Sequence, residues 1–383
     1  MDFNLTEEQA LIKKTAGDIA RDVLAPRAAE LDRSYSFPRY GLDKLAETGM
    51  MGMVIPPPLG GAGTDTLSFL LATEELAKAC PSTALVFVTH VAASLGILVG
   101  GKEDTKRKLL PQLARGEKLA AFAATETGSG SNPLAVTTTA RTQSEHYAIN
   151  GSKVFITSGG EADAYVVLAR TSDAPGPAGL SALLVEKGTP GFTFGRRDER
   201  MGLNGTSSRE LFFDNCLVPR ENLLGQEGGY LPLGMAIAGL GALGAAAMAV
   251  GIAQAALDAS IQHGKERLMG GQPIGNFQGV QFLVSEMSAT VNAGRAFLYW
   301  AAFLRDNPPP GPPVFALKAK LFCTEMAVEV AHKALQVHGG QGYTRDLPIE
   351  RYYRDARGLT LHFSPSEPLK ETIGRLLMGL MPM

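Results

Sequence analysis

LAAFAATETGSGSN, residues 119–132, marks the place where the chain changes character. Before it, apolar residues recur at helical spacing. After it come short runs rich in β-branched and aromatic residues: VTTTAR (136–141), HYAIN (146–150), KVFIT (153–157), AYVVLAR (164–170), LSALLVE (180–186) and RELFFDN (209–215). Gly, Pro, Asn and Asp separate them, and runs bounded in this way predict strands of an antiparallel domain. Asn150-Gly151 between two of the runs predicts a hairpin turn of the primed kind, which needs positive φ at both central residues. Near residue 225 the helical period returns. The chain therefore divides into an α-helical part (1–117), a β part (118–225) and a second α-helical part (226–383).

On the N-terminal side, Thr6 and Gln9 form a capping box, and Ile12, Ala16, Ile19, Ala20, Val23 and Leu24 follow at helical spacing until Pro26 is expected to stop the helix. Leu42, Leu45 and Ala46 predict a short helix. VIPPPLGGAG (54–63) is a breaker-rich loop, and helices are expected over 67–79, 86–99 and 102–114. On the C-terminal side, residues 228–257 carry no charge and exceed the roughly 20 residues that span a bilayer. Their apolarity comes largely from Ala and Gly, which let helices approach closely, so a buried bundle helix is expected and no membrane span.

Composition narrows the function. The 383 residues hold 36 Lys and Arg against 38 Asp and Glu, with no block of like charge to grip nucleic acid. Cys80, Cys216 and Cys323 are too far apart in sequence for a metal site or disulfide scaffold. The opening MDFNLTEEQ lacks the basic stretch and apolar core of a signal peptide, so a cytoplasmic protein is expected.

Three stretches carry candidate chemistry. TETGSGSN (125–132) follows a strand, and its small residues let backbone N–H groups converge on a phosphate, with Thr125 and Ser131 adding hydroxyls. In KVFITSGG (153–160) strand alternation puts Phe155 and Thr157 on one side, an aromatic face beside a hydroxyl, suited to a flat cofactor as well as to an ordinary core. In QVHGGQGYTRDLPIERYYRDAR (336–357) glycines follow a helix and charges alternate, the usual make-up of a solvated face or helix-end lock.

Together these stretches resemble the flavin-dependent acyl-CoA dehydrogenases, in collinear order along essentially the whole chain. LTEEQALIKKTAGDIARDVLAP (5–26) and LAETGMMGMVIPPPLGGAG (45–63) are similar to the family's opening, FAATETGSGSN to its phosphate loop, and NGSKVFITSGG to its flavin strand. MGLNGTSSRELFFDNCLVPRENLLG (201–225), Arg267 to Gln278, QVHGGQGY and RYYRDAR follow in register. The resemblance implies an acyl-CoA dehydrogenase-like fold: an α-helical N-terminal domain, a central antiparallel β-barrel-like domain and a C-terminal four-helix bundle, with FAD between the last two. It implies that Phe122, Ala124, Thr125, Gly130 and Ser131 line the flavin and pyrophosphate, and that Phe155, Ile156 and Thr157 flank the isoalloxazine. Arg267 and Gln278 are then expected to reach a neighbouring subunit's FAD, with Gln336, Gly339 and Gly340 on its adenine side, in a homotetramer or homodimer. Pro365, Ser366 and Glu367 fall on the cofactor side of the last motif; Ser131, Gly241, Ala242 and Ser364 fall on the acyl-thioester side. The implied partners are an acyl-CoA or acyl-carrier thioester and an electron-transfer flavoprotein.

One departure bears on mechanism. The family removes an α-proton with a glutamate that lies shortly after R-D-A-[KR] or, in some members, on the first long bundle helix. Here the register puts Phe363 at the first position and Gly241 at the second, and Gly270 replaces a phenylalanine on the adenine side. Three readings follow: α,β-dehydrogenation with a base from elsewhere, His90 being the candidate; flavoenzyme chemistry that needs no such base, such as β-elimination or desulfination; or non-redox binding of an acyl thioester.

Overall fold

The computed structural model describes residues 4–130, 132–310 and 314–380. Thr6 and Gln9 cap helix α1 (Glu7–Ile19) reciprocally, at 3.2 and 3.0 Å. The helix does not end at Pro26. A π-helical turn, Ala20–Leu24, leads into α2 (Ala25–Ser34), and Pro26 falls in the first turn of α2, where a missing N–H leaves no bond unmade. Helices α3 (Arg39–Glu47), α4 (Thr66–Ala79), α5 (Pro81–Gly100) and α6 (Glu103–Ala114) complete the first part.

The β part holds β1 (Ala120–Ala123), β2 (Thr139–Gln143), β3 (His146–Ile156), β4 (Ala164–Arg170), β5 (Leu180–Glu186), β6 (Phe192–Arg197), β7 (Arg209–Pro219) and β8 (Leu223–Leu224). They form one sheet in the order β6-β7-β3-β2-β4-β5-β8, with β1 on β4. The sheet is not wholly antiparallel: β1 and β2 each pair with β4 in parallel. The hairpin expected at Asn150-Gly151 is also displaced, because β3 runs straight through both residues. Gly151, at φ +142°, passes so close to Thr138 that a Cβ would lie 2.6 Å from its Oγ1, and the Asn150 side chain accepts the Asn215 N–H at 2.8 Å. The dipeptide makes an irregularity in the ladder. The turn itself lies at Ser144-Glu145, with Ser144 at φ +53°.

Helix α7 (Tyr230–Glu266) opens the last part, and the hairpin β9 (Leu268–Met269) and β10 (Gln272–Pro273) leads to α8 (Gln278–Asp306). Gly270 and Gly271 turn that hairpin with φ of +59° and +82°, a backbone no phenylalanine adopts readily. Helices α9 (Val314–His338), α10 (Ile349–Leu359) and α11 (Ser366–Leu377) follow. Both α5 and α7 are long and apolar enough to cross a membrane, but 78% of the most apolar window of each is buried inside the protein. One apolar core continues through all three parts, so α7 is a core helix that packs on α4, α5 and α9.

Candidate functional site

The end of β3 builds the first wall. A register shift between Lys153 and Ile156 puts Phe155 at φ +57°, a left-handed conformation that costs an aromatic residue about 1–2 kcal/mol. Simple alternation therefore fails here. Phe155 is 68% exposed, whereas Ile156 and Thr157 are buried. Ser158, also left-handed, donates its N–H to the Thr206 carbonyl at 2.9 Å and fixes the segment from behind.

The glycine loop is anchored to the same strand by two residues that sequence reading passed over. Lys153, fully buried, reaches Glu126 at 2.8 Å and the Ala124 carbonyl at 3.2 Å. Glu126 also accepts from the Thr137 N–H and hydroxyl and from the Thr138 N–H. Burial opposes both charges. It pulls the Lys153 ammonium down, while the donors around Glu126 outweigh its desolvation and hold its carboxyl low. Their signal was a lone lysine in an apolar strand and a lone acid in a glycine loop. Val154 N–H to the Thr125 carbonyl, 2.9 Å, completes the clamp. Phe122, Ala124 and Thr125 are half-buried and Gly130 is exposed; Ser131 lies outside the described residues.

The opposite wall comes from α7 and the turn between α10 and α11. Phe363 and Ser364 have φ of +57° and +149°, and Lys320 of α9, fully buried, donates to the carbonyls of Thr360 and Ser364 at 3.0 and 2.7 Å. This turn lays the Phe363 ring on α7: a Cβ at Gly241 would lie 2.3 Å from two of its ring carbons. The two positions where the family resemblance looks for a base thus pack against each other, and neither offers an oxygen. Ala242 is buried beside them, Pro365 caps α11, the Ser366 hydroxyl donates to Glu325, and Glu367 is exposed in the first turn of α11. The N–H groups of Phe363 and Ser364 have no acceptor among the described residues. Successive free N–H groups in a left-handed turn form a concavity for negative charge.

His90 is not a free base. It is fully buried, Nδ1 accepts the Ala120 N–H at 3.1 Å, and Nε2 donates to the Met51 carbonyl at 3.2 Å. Burial pulls its pKa down to about 4. The ring is a tie between α5, β1 and the Met50–Gly52 turn.

Arg267, Gln278, Gln336, Gly339 and Gly340 are all exposed. The side chains of the first three make no hydrogen bond within the chain among the described residues. Around them Leu268, Met269 and Phe282 are also exposed.

Residues 6–117, 121–216 and 233–378 match, in order, the N-terminal, middle and C-terminal domains of the acyl-CoA dehydrogenases. The chain belongs to the acyl-CoA dehydrogenase family. It is 41% identical to the acryloyl-CoA reductase (NADH) of Anaerotignum propionicum over 99% of this chain and 96% of that protein. Butyryl-CoA dehydrogenase from Megasphaera elsdenii superposes with a TM-score of 0.96 at 36% identity, covering 99% of this chain and all of that one. A chain from work on the electron transferring flavoprotein of Acidaminococcus fermentans gives the same TM-score at 40% identity, covering 99% and 100%. This acyl-CoA dehydrogenase is accordingly an FAD-dependent oxidoreductase of acyl thioesters. Its residues suit that cofactor. Phe155 presents an open aromatic face next to Thr157, and Cβ atoms built at Gly128, Gly339 and Gly340 would meet no other part of the chain, leaving backbone open to close approach.

Proposed function

We propose that this acyl-CoA dehydrogenase acts on short acyl-CoA thioesters without a side-chain base at either of the usual positions. The observation that carries this reading is the Phe363 ring seated on Gly241. Bound FAD supplies the acceptor for the hydride leaving the acyl chain. The rest belongs to the chain's own residues. The Glu126–Lys153 clamp holds the phosphate loop against β3, and Phe155 to Thr157 fix the plane of the ring system. The N–H groups of Phe363 and Ser364 hold the thioester oxygen, so negative charge can build there when the α-hydrogen leaves. Phe363 keeps the α-carbon in an apolar pocket, and the proton passes to water instead of a carboxylate. Losing a positioned base typically costs 10²- to 10⁴-fold in rate, so slow turnover is the signature.

The exposed Arg267, Gln278 and the apolar residues around them support a homo-oligomer in which one subunit completes its neighbour's cofactor site. The likeness to a chain studied with an electron transferring flavoprotein supports such a protein as redox partner. A cytoplasmic setting suits the three unpaired cysteines. The segments 1–117, 118–225 and 226–383 serve as the domains.

Anaerobic mixing with butyryl-CoA tests the reading. The flavin absorbance should bleach slowly, and Phe363→Glu should bleach at least about a hundredfold faster. Equal rates in the two proteins would end it. The oxygen-free pocket also favours a second reaction, loss of a β-sulfinate group. The C–S bond breaks with its electron pair left on the β-carbon, which takes a proton from water while the hydroxide adds to the sulfur dioxide released to give sulfite, and no α-proton has to be removed. Release of that group with the flavin still oxidised, and no bleaching by butyryl-CoA, would identify it.

A further inference from the structure

A cavity of about 300 Å³ lies where the three parts of the chain meet, and none of the phosphate-loop, Phe155–Thr157 or Gly241 residues lines it. Four arginines from four segments do: Arg33 in the last turn of α2, Arg200 between β6 and β7, Arg345 before α10, and Arg354 on α10. Arg354 is satisfied, donating to Asp32 at 2.7 and 3.2 Å and to Glu350 at 2.5 and 2.9 Å. The other three have no carboxylate partner among the described residues. Arg33 donates only to the Arg345 carbonyl, at 3.2 Å, which draws those two segments together. Arg200 donates to the Leu203 carbonyl and the Thr206 hydroxyl, and its Nε finds no acceptor. The Arg345 guanidinium makes no hydrogen bond among the described residues.

The charge count is therefore unbalanced. Four guanidinium groups line the cleft with Asp32 as the one acid in its lining; Asp32 and Glu350 both bind Arg354, and Asp198 and Asp355 lie near Arg200 without a hydrogen bond to it, so Arg33 and Arg345 face the cleft with no acid paired to them among the described residues. Like charges gathered in a half-buried cleft repel more strongly than they would in open water. Planar guanidinium forks match the oxygens of a phosphate two at a time. A water occupies about 30 Å³ of liquid, so the cleft has room for a phosphate group with several waters or an attached sugar.

We propose that this cleft is a phosphate-binding site, separate from the flavin site, in which Arg33, Arg200 and Arg345 grip the dianion and Arg354 with Asp32 forms its floor. The phosphate could be inorganic or the terminal group of a nucleotide. Because the cleft joins residues of all three parts, occupancy stabilises their mutual docking by mass action.

The test uses the FAD-loaded protein, so that the phosphate loop is already filled. Inorganic phosphate and adenosine 3′,5′-bisphosphate are titrated separately by calorimetry, at constant ionic strength set with chloride. Saturable binding of inorganic phosphate is expected, weakened at least about tenfold in Arg33→Gln/Arg345→Gln, with FAD content and unliganded melting temperature unchanged. If the bisphosphate binds more tightly and loses affinity in the same variant, the site is a nucleotide phosphate site. Two results would overturn the proposal: no saturable binding of either compound up to about 20 mM, a range in which even weak specific sites fill, or binding that the double variant leaves intact.

Discussion

At Gly241 the structure asks for the absence of a side chain, and at Phe363 for a ring that fills the space. The two residues specify each other. Gly241→Ala should destabilise the protein by about 1–3 kcal/mol, the usual cost of overpacking, and Phe363→Ala in the same chain should recover most of it. Chemical denaturation of the three variants checks this; additive effects would show that the ring has another place to go. The same contact leaves no room for the side chain of Gly241→Glu while the ring is in place, whereas Phe363→Glu needs no new space on α7. His90 belongs to the same scale. Its two bonds are structural, so His90→Ala should cost about 2–4 kcal/mol in stability while turnover per bound flavin stays within about twofold. A loss of bleaching with FAD still bound would make it a base after all. Because burial holds the native His90 neutral, its contribution falls away as pH drops from 6.5 through about 4. The sequence shows that Phe363 and Gly241 are unusual, but not that they touch, since they lie on elements more than 100 residues apart.

Among the elements, the clamp of Lys153 and Glu126 holds the glycine loop against β3. Removing one member of a buried ion pair leaves a charge without its counter-charge, at a cost of roughly 3–5 kcal/mol, whereas removing both is far milder. Glu126→Gln should therefore loosen FAD binding and lower stability, and Lys153→Met added to it should restore part of both. Fluorescence of released flavin and a melting curve measure the two effects. Full affinity in Glu126→Gln would show that the loop stands without the pair. Element types were mostly legible from periodicity and turn residues. What failed were local exceptions: Pro26 sits where a π-helical turn lets the helix continue, and Asn150-Gly151 marks a close pass of one strand over Thr138 instead of a hairpin. In each case a neighbouring segment overrules the local preference.

For the whole molecule, the junction of the three parts is held by α10. Arg354 binds Asp32, and buried Asp355 accepts the Leu203 N–H at 2.6 Å. Burial pushes the Asp355 pKa up to about 7, outweighing the Leu203 bond and the nearby arginines. The native state therefore holds a proton that the unfolded chain releases near 3.8. This stabilises the fold at low pH, and the benefit is lost as pH rises through about 7, by an amount on the order of a few kcal/mol. Asp355→Asn keeps the acceptor for Leu203 and removes the titration, so its stability should stay flat between pH 5 and 8 where the parent's declines. Denaturation at several pH values compares them. A parallel decline in both would place the titration elsewhere.

The amino-acid sequence by itself determined the order of helical, β and helical parts, the family and its cofactor, because periodicity, turn chemistry and the spacing of motifs are local properties of a chain. Only the tertiary structure decided which of those residues act together. It put the Phe363 ring on Gly241, engaged both nitrogens of His90, paired Lys153 with Glu126, and gathered four arginines from distant segments around one cleft. The physical reason is the same throughout. Packing, burial and ion pairing depend on distances in space, and those are set only when elements far apart in the chain close on a common core.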